Sequence, residues 1–226
     1  MYFKKIENNK RLDNLCLSSD DYEFNPNEPL WPSNIRALVV GPSACGKTNL
    51  VVSLLVALNG IKFTKLYLVS QTASQEKYEI LKNVLQGSGA ELVVLTNVDD
   101  IILQELEKHT TVIWDDLHIT DYPKISQFFY RGRHSGINSL FLTQTYSVQP
   151  PAIIKQNANV LFLFKMPGHT LKLIHRDWVG CDMNLNEFMK FCNKCFSKTH
   201  DFMTIVKDFP LSEGRYRKNF DNVWVI

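Results

Sequence analysis

The sequence lacks any hydrophobic run long enough to cross a lipid bilayer. Its most apolar stretch, residues 50–58, is far shorter than the roughly 20 residues that a transmembrane helix needs. The first residues of the chain are polar and charged, which is not the pattern of a secretory leader. We therefore expect neither a membrane contact nor an export signal.

The sequence also lacks a large charge imbalance and an even set of cysteines. Its 25 Lys and Arg residues nearly balance 23 Asp and Glu residues, so the net charge is only +2. Any contact with nucleic acid must therefore be confined to part of the surface. The five cysteines are an odd number, which favours free thiols in a reducing compartment over a disulfide framework.

What the sequence does contain is the composition of a folded domain. Hydrophobic residues make up 45% and charged residues 21% of the 226 residues, a balance typical of globular proteins. Residues 1–30 are polar and show no strand pattern. We predict an N-terminal arm over residues 1–30 and one domain over residues 31–226, a length that suits a single α/β domain.

Short apolar runs alternate with helical patterns along that domain. Buried strands are predicted at residues 35–40, 65–69, 91–95, 111–114, 139–143 and 160–164, with a further strand at 202–206. Helices are predicted at residues 48–59, 74–85, 98–108, 125–134, 150–156, 170–179 and 184–193. Because parallel neighbours need crossover connections, this alternation predicts an α/β fold with a mainly parallel sheet and helices on both faces.

The run GPSACGKT matches the phosphate-loop pattern G-x-x-x-x-G-K-T between a predicted strand and a predicted helix. In that setting the glycines let backbone amides point at phosphate oxygens, and the helix N-terminus adds positive potential. Lys47 is expected to reach the β- and γ-phosphates of ATP, and the Thr48 hydroxyl to bind Mg²⁺. The alternative is a chance match. The residues predicted to bind the nucleotide are Gly41, Pro42, Ser43, Ala44, Cys45, Gly46, Lys47, Thr48 and Asn49.

Two carboxylates, Asp115 and Asp116, directly follow the predicted strand TVIW. In doubly wound sheets ligands bind at the carboxyl ends of the strands, so this pair is expected beside the phosphate loop. Asp115 is then expected to hold Mg²⁺ through water, and Asp116 to orient and deprotonate the attacking water. Alone, such a pair is more often a helix cap or a solvated loop. The phosphate loop makes the catalytic interpretation the favoured one.

A polar residue and two arginines complete the predicted site. Gln144 ends the predicted strand SLFLT, so its amide is expected to sense the γ-phosphate or the lytic water. Arg131 and Arg133 precede that strand, and an arginine delivered to the phosphates of a neighbouring subunit stabilises the charge of phosphoryl transfer. Arg133 is the preferred candidate for this role, Arg131 the second. The alternative for each is a surface ion pair or a contact with nucleic acid.

Two residues near the loop have a structural and a functional interpretation. Cys45 lies where helix amides and Lys47 would lower a thiol pKa and make it reactive, but a small residue that fills the loop is the favoured interpretation. Trp31 precedes the first predicted strand; it either covers the adenine base or belongs to the core, and the sequence leaves both open.

A partial metal-site spacing appears in the C-terminal part. Cys192, Cys195 and His200 match the first three ligands of a zinc knuckle, but Ile205 stands at the fourth position. We therefore favour ordinary thiols, and a zinc ion completed by a distant ligand stays open.

Two basic clusters are candidates for contact with DNA, although such clusters are usually solvated faces. One comprises Arg215, Arg217 and Lys218, and the other Lys165, Lys172, His175 and Arg176. The solvated-face interpretation is the favoured one, and contact with DNA stays open for either cluster.

A resemblance to the FtsK/HerA superfamily of DNA-pumping ATPases is carried by four segments in order, GPSACGKT, VIWDD, RGRHSGINSLFLTQTY and PAIIKQNANVLFLF. The RGRH segment, the TQTY strand end and the closing RYRKNFD are most similar to the poxvirus-type genome-packaging ATPases of large eukaryotic DNA viruses and virophages. The similarity covers roughly residues 35–221.

The resemblance implies a RecA-like P-loop NTPase that uses ATP and Mg²⁺ to move double-stranded viral DNA into a capsid. It implies a homo-oligomeric ring, usually a hexamer or pentamer, with sequence-independent contacts to DNA phosphates. It also implies capsid or other virion proteins as partners, and a place in the virion or at the assembly site in the host cytoplasm. Lys47, Thr48, Asp115, Asp116 and Gln144 carry over to the positions given above, and Arg133 as the trans-acting arginine.

The sequence departs from the superfamily in one position of its acidic pair. Asp116 stands where many members have glutamate, so the assignment of the base rests on a shorter side chain. Two other functions stay open at this point: a DNA pump or helicase of the same superfamily that takes no part in packaging, and a nucleotide switch or kinase that uses the same loop.

Overall fold

Ten strands form one sheet in the part of the chain that the computed structural model describes, residues 2–5, 27, 29–72, 76–85 and 90–225. The strands in chain order are β1 (Tyr2–Lys5), β2 (Arg36–Val40), β3 (Lys65–Ser70), β4 (Glu91–Leu95), β5 (Thr110–Asp115), β6 (Asn138–Thr143), β7 (Val160–Phe164), β8 (Phe202–Val206), β9 (Tyr216–Lys218) and β10 (Asn222–Val225). Their order across the sheet is β1-β10-β9-β8-β7-β2-β6-β5-β3-β4.

The six strands from β7 to β4 in that order are parallel to one another, and β8, β9, β10 and β1 extend the sheet with antiparallel pairs. Strands β5, β6 and β7 are buried along their whole length, which is why they read as continuous apolar runs and not as alternating ones. The predicted mainly parallel α/β sheet is confirmed.

Six helices cover the two faces of the sheet in the described part of the chain. They are α1 (Lys47–Val56), α2 (Glu76–Leu85), α3 (Tyr122–Tyr130), α4 (Ala152–Asn157), α5 (Gly168–Ile174), which continues as a π-helical turn over His175–Val179, and α6 (Leu185–Cys195). Helices α1 and α2 pack on one face, and α3, α4, α5 and α6 on the other. Alternate residues of β2 belong to the two hydrophobic cores, one on each face of the sheet. Leu38 and Val40 lie in one core, and Ala37 and Val39 lie in the other. No helix of the described residues is long and apolar enough to span a membrane.

The helix predicted at residues 98–108 is wrong. That segment forms two separate 3-10 turns, Val98–Asp100 and Leu103–Glu105. Val98, Ile101 and Leu103 are all buried in the same core, whereas on one α-helix Leu103 would point about 140° away from Val98. Burial of all three side chains therefore favours two separate turns over one continuous helix.

Strands β1, β9 and β10 carry no strand signal that the sequence analysis identified. Strand β1 lies within the predicted arm and pairs with β10, while residues 6–26 of that arm lie outside the described residues. Strands β9 and β10 come from the charged tail RYRKNFDNVWVI. The basic residues of this tail interrupt the apolar pattern from which a strand is predicted.

Candidate active site

The phosphate loop connects the end of β2 to the start of α1. Gly46 caps that helix at φ 107° and makes no side-chain cap hydrogen bond. Only glycine adopts such a φ without strain. Amides at the start of a helix such as α1 are the groups that bind an anion at a helix N-terminus.

Gly41 makes room for Cys45 within the loop. A Cβ on Gly41 would lie 2.6 Å from Cys45 Sγ and 2.8 Å from the Cβ of Phe164, so the loop closes only around a glycine. Burial raises the pKa of the Cys45 thiol and outweighs the opposing effects of Lys47 and of backbone amides. This favours the interpretation of Cys45 as a small side chain that fills the loop over the interpretation as a reactive thiol.

Lys47 lies across the mouth of the loop. Its Nζ donates to the carbonyl oxygens of Gly41 at 2.8 Å and Pro42 at 2.9 Å. A hydrogen bond from the Gly41 amide to the Thr143 carbonyl, 3.1 Å long, fixes the start of the loop against the end of β6. The ammonium group is thus held within the loop by two backbone carbonyls.

The acidic pair lies where the sequence placed it, at the carboxyl end of β5. Asp115 is the last residue of the strand and only 7% exposed, while Asp116 is exposed to solvent. Asp116 has φ 54°, a left-handed backbone that aspartate tolerates better than most residues but that still costs free energy. Both carboxyl residues thus lie at the end of β5, one buried and one exposed.

Gln144 is exposed and directly follows β6, which lies between β2 and β5 in the sheet. The Thr143 hydroxyl donates to the Thr145 carbonyl at 3.0 Å and accepts from the Thr145 amide at 3.3 Å. Next along the chain, the Tyr146 hydroxyl donates to Asp177 at 3.0 Å and accepts from the Trp178 indole at 3.0 Å. Burial and the adjacent Asp177 carboxylate raise the pKa of Tyr146. The backbone on both sides of Gln144 is therefore fixed.

These elements enclose a pocket of about 740 Å³ at one edge of the sheet. It is lined by most of the predicted site residues, namely Ser43, Ala44, Gly46, Lys47, Thr48, Asn49, Asp115, Asp116 and Gln144. Thr72, Trp114, Tyr122, Phe141 and Gln149 also line it, and none of these five was predicted from the sequence. The only feature of the sequence that could have indicated them is their position, because several lie next to the strand ends that carry the predicted motifs.

Both arginines lie at the opposite edge of the sheet. Arg133 occupies the 3-10 turn before β6. It lies near Arg36, the first residue of β2. Burial is the main cause that lowers the pKa of the Arg36 guanidinium, and the charge of Arg133 lowers it further. The phosphate loop follows the last residue of β2, about 13 Å away along the strand. Arg131 and Arg133 are exposed, and Arg131 stacks on the Tyr130 ring at 5.4 Å. Within one chain, neither lines the pocket.

Trp31 belongs to the core. It is 0% exposed, its indole donates to the Asn59 carbonyl at 2.8 Å, and its ring packs edge-on against Phe162 and Phe220. The interpretation that it covers adenine is wrong.

The cysteines and the histidine of the partial zinc spacing are used separately. Cys192 is fully buried and its thiol contacts Met203, and burial raises its pKa to about 12. Cys195 is also buried, with its thiol near the Arg217 carbonyl. His200 instead contacts the phosphate loop, with Nδ1 2.9 Å from the Cys45 carbonyl. Among the described residues, no three His, Cys, Asp or Glu side chains form a group that could hold a metal ion.

The basic cluster of the C-terminal tail is bound internally, which favours a structural role over a contact with DNA. Arg217 is 0% exposed and donates to the carbonyls of Leu30 and Gly214, while Arg215 pairs with Asp182. In the second cluster, Lys165 and Lys172 are exposed.

Comparison with family models and with curated proteins finds no match to this sequence. Solved structures do match the fold. The genome packaging NTPase B204 from Sulfolobus turreted icosahedral virus 2, in complex with sulfate, aligns with TM-score 0.52 and 14% identity over 77% of this chain and 92% of that chain. The chain has the fold of a viral genome-packaging NTPase.

Two further structures share this NTPase fold. The DNA-packaging ATPase B204 from Sulfolobus turreted icosahedral virus aligns with TM-score 0.52 and 15% identity over 82% of this chain and 95% of that chain. The complex of the first virus's NTPase with AMPPCP aligns with TM-score 0.51 and 14% identity over 77% and 93% of the two chains. The fold predicted from the sequence, an α/β P-loop NTPase, is confirmed.

Proposed function

We propose that this protein is an ATP-hydrolysing motor that moves double-stranded DNA into a viral capsid as a ring of identical subunits. The observation that carries the proposal is the convergence of the phosphate loop, the acidic pair and Gln144 on one pocket. Among the functions that P-loop proteins carry out, this class of motor is supported by the fold shared with a DNA-packaging ATPase.

The pocket suits a nucleoside triphosphate and Mg²⁺. Its volume of about 740 Å³ lies within the range of small-molecule sites. Thr48 and Asp115 line it with the hard oxygen ligands that Mg²⁺ prefers. A magnesium ion there would neutralise charge on the β- and γ-phosphate oxygens during phosphoryl transfer.

Three further residues of the pocket, Lys47, Gln144 and Asp116, have roles in the hydrolysis of ATP. Lys47, now bound to the Gly41 and Pro42 carbonyls, moves onto the phosphates and stabilises the charge that develops on them. Gln144 orients the attacking water and Asp116 accepts its proton. The water oxygen bonds to the γ-phosphorus, the bond to the bridging oxygen breaks, and ADP and phosphate leave.

Arg133 completes the site of a neighbouring subunit. The separation of Arg133 from its own pocket supports action in trans, because a guanidinium at one edge of the sheet cannot reach phosphates at the other. Hydrolysis then depends on assembly. Loss of the γ-phosphate weakens the contact between subunits and shifts one against the next, which moves the bound DNA.

Contacts to DNA are proposed to reach phosphates and not base edges, as a motor that travels along any sequence requires. The exposed Lys165 and Lys172, in the segment that follows β7, are the candidates that remain after the C-terminal cluster is assigned to internal bonds. Capsid or other virion proteins would dock the ring at the particle, in the host cytoplasm or in the virion.

The test measures ATP hydrolysis by the purified protein across a series of protein concentrations, with and without blunt double-stranded DNA. The expected specific activity rises with concentration and with DNA, and falls to background in Lys47→Ala. A rate that ignores both concentration and DNA would contradict the motor. Phosphate transfer to a small acceptor under the same conditions would point to a kinase instead.

A further inference from the structure

His200 reaches the phosphate loop from a part of the chain that the hydrolysis of ATP does not otherwise use. Its Nδ1 lies 2.9 Å from the Cys45 carbonyl oxygen, and a Cβ on Gly46 would lie 3.3 Å from the same nitrogen. A carbonyl oxygen only accepts hydrogen bonds, so Nδ1 is the donor and carries the proton. In a neutral ring, Nε2 then has a lone pair and accepts.

The segment that carries His200 is itself held in place. The Asp201 carboxylate accepts from the Ser197 hydroxyl at 3.1 Å, from the Lys198 amide at 2.9 Å and from Lys218 Nζ at 2.8 Å. Burial alone would raise the pKa of Asp201, but these hydrogen bonds together outweigh it and lower the pKa. His200 has φ 68°, a conformation that this framework stabilises.

The side of the loop on which His200 lies is the side left for the nucleoside. Asp115, Asp116 and Gln144 follow β5 and β6, which lie on one side of β2, whereas β7 and β8 lie on the other. The γ-phosphate must face the acidic pair, so the opposite end of the triphosphate chain points away from it. His200 directly precedes Asp201 and β8 on that other side.

We propose that His200 contacts the nucleobase, with Nε2 accepting a hydrogen bond from the amino group at position 6 of adenine. This inference rests on the proposed nucleotide site and assigns to that site a preference for one nucleobase. Adenine offers an amino donor at position 6, whereas guanine offers a carbonyl acceptor that would face the Nε2 lone pair. The site therefore favours ATP over GTP.

The test measures binding of ATP, GTP and inorganic tripolyphosphate, each with Mg²⁺, by isothermal titration calorimetry. The main variant is His200→Asn, because the Asn amide keeps a donor near the Cys45 carbonyl and tolerates a positive φ, yet has no counterpart of Nε2. The expected result is an affinity for ATP lowered about fivefold, with tripolyphosphate binding unchanged and the preference for ATP over GTP lost. His109→Asn, at the opposite edge of the sheet, also replaces a histidine with a positive φ, here 62°; it is the matched control and should change none of the three.

The outcomes separate this inference from the function on which it rests. Wild-type protein that binds tripolyphosphate but shows no preference for ATP over GTP, or an unchanged preference in His200→Asn, overturns the base contact alone. An equal loss for ATP and tripolyphosphate in His200→Asn also overturns it, since His200 would then only support the loop. Wild-type protein that binds neither compound overturns the nucleotide site and the base contact together.

Discussion

Mixing two inactive variants should restore activity if Arg133 acts on a neighbouring subunit. Lys47→Ala removes the phosphate-loop cation but keeps Arg133, and Arg133→Ala does the reverse. In an equal, random mixture, a complete site needs an Arg133→Ala subunit to supply the loop and a Lys47→Ala neighbour to supply the arginine. Each condition holds for half of the subunits, so for sites that work independently about a quarter of the wild-type ATPase rate should return.

A second mixture provides the control for this prediction. Wild type mixed equally with the double variant Lys47→Ala, Arg133→Ala should also retain about a quarter of the rate if sites are shared, but about half if each site is complete within one chain. The rates are measured as phosphate release after subunit exchange at high protein concentration. Background activity in the first mixture together with half activity in the second would refute the shared site.

Three further predictions concern single residues. Asp116→Asn should lower the ATPase rate at least about 100-fold, because the proton acceptor is lost, while ATP still binds in calorimetry. Arg217→Met should lower the Tm by roughly 9 °C in a thermal melt, because it leaves buried carbonyls of Leu30 and Gly214 unpaired, a loss of about 3 kcal/mol. Asp201→Asn should remove a contribution to stability that depends on pH. The folded pKa of Asp201 is lowered, so this contribution is present at neutral pH and lost as the pH falls below about 4.

Each of these three has its own control. Asp116→Glu should retain part of the rate, and full activity in Asp116→Asn would show that another group takes the proton. Arg215→Met removes a partly exposed ion pair and should shift the Tm less than half as much as Arg217→Met. The difference in unfolding free energy between wild type and Asp201→Asn is measured by urea titration at pH 3 and pH 7; a difference of the same size at both would contradict the role of the ionised carboxylate.

The parallel core and most of the pocket could be predicted because their signals are local. Strands β5, β6 and β7 are buried on both faces and therefore read as uninterrupted apolar runs. The phosphate loop and the acidic pair each follow such a strand, and parallel strands bring their carboxyl ends to one edge. Two short motifs thus located a site that is distributed along the chain.

The remaining features could not be predicted because they depend on distant partners. Arg217 reads as a surface charge, yet it is buried through bonds to the carbonyl of Leu30, far away in the sequence. His200 stood out in the sequence only as the third position of an incomplete zinc spacing, whereas its actual partner is the Cys45 carbonyl. No property of a short segment of the sequence predicts either contact.

The central position of β2 determines when the phosphate loop can form during synthesis. The neighbours of β2 are β6 and β7, which leave the ribosome roughly a hundred residues after it, whereas β3 pairs with both β4 and β5, the two strands that follow it in the sequence. Pairings of long sequence separation form late. A nascent chain stalled before Thr143 has β2 and the loop residues but lacks the carbonyl that holds Gly41, so nucleotide can begin to protect the emerging chain from proteases only after β6 has been made.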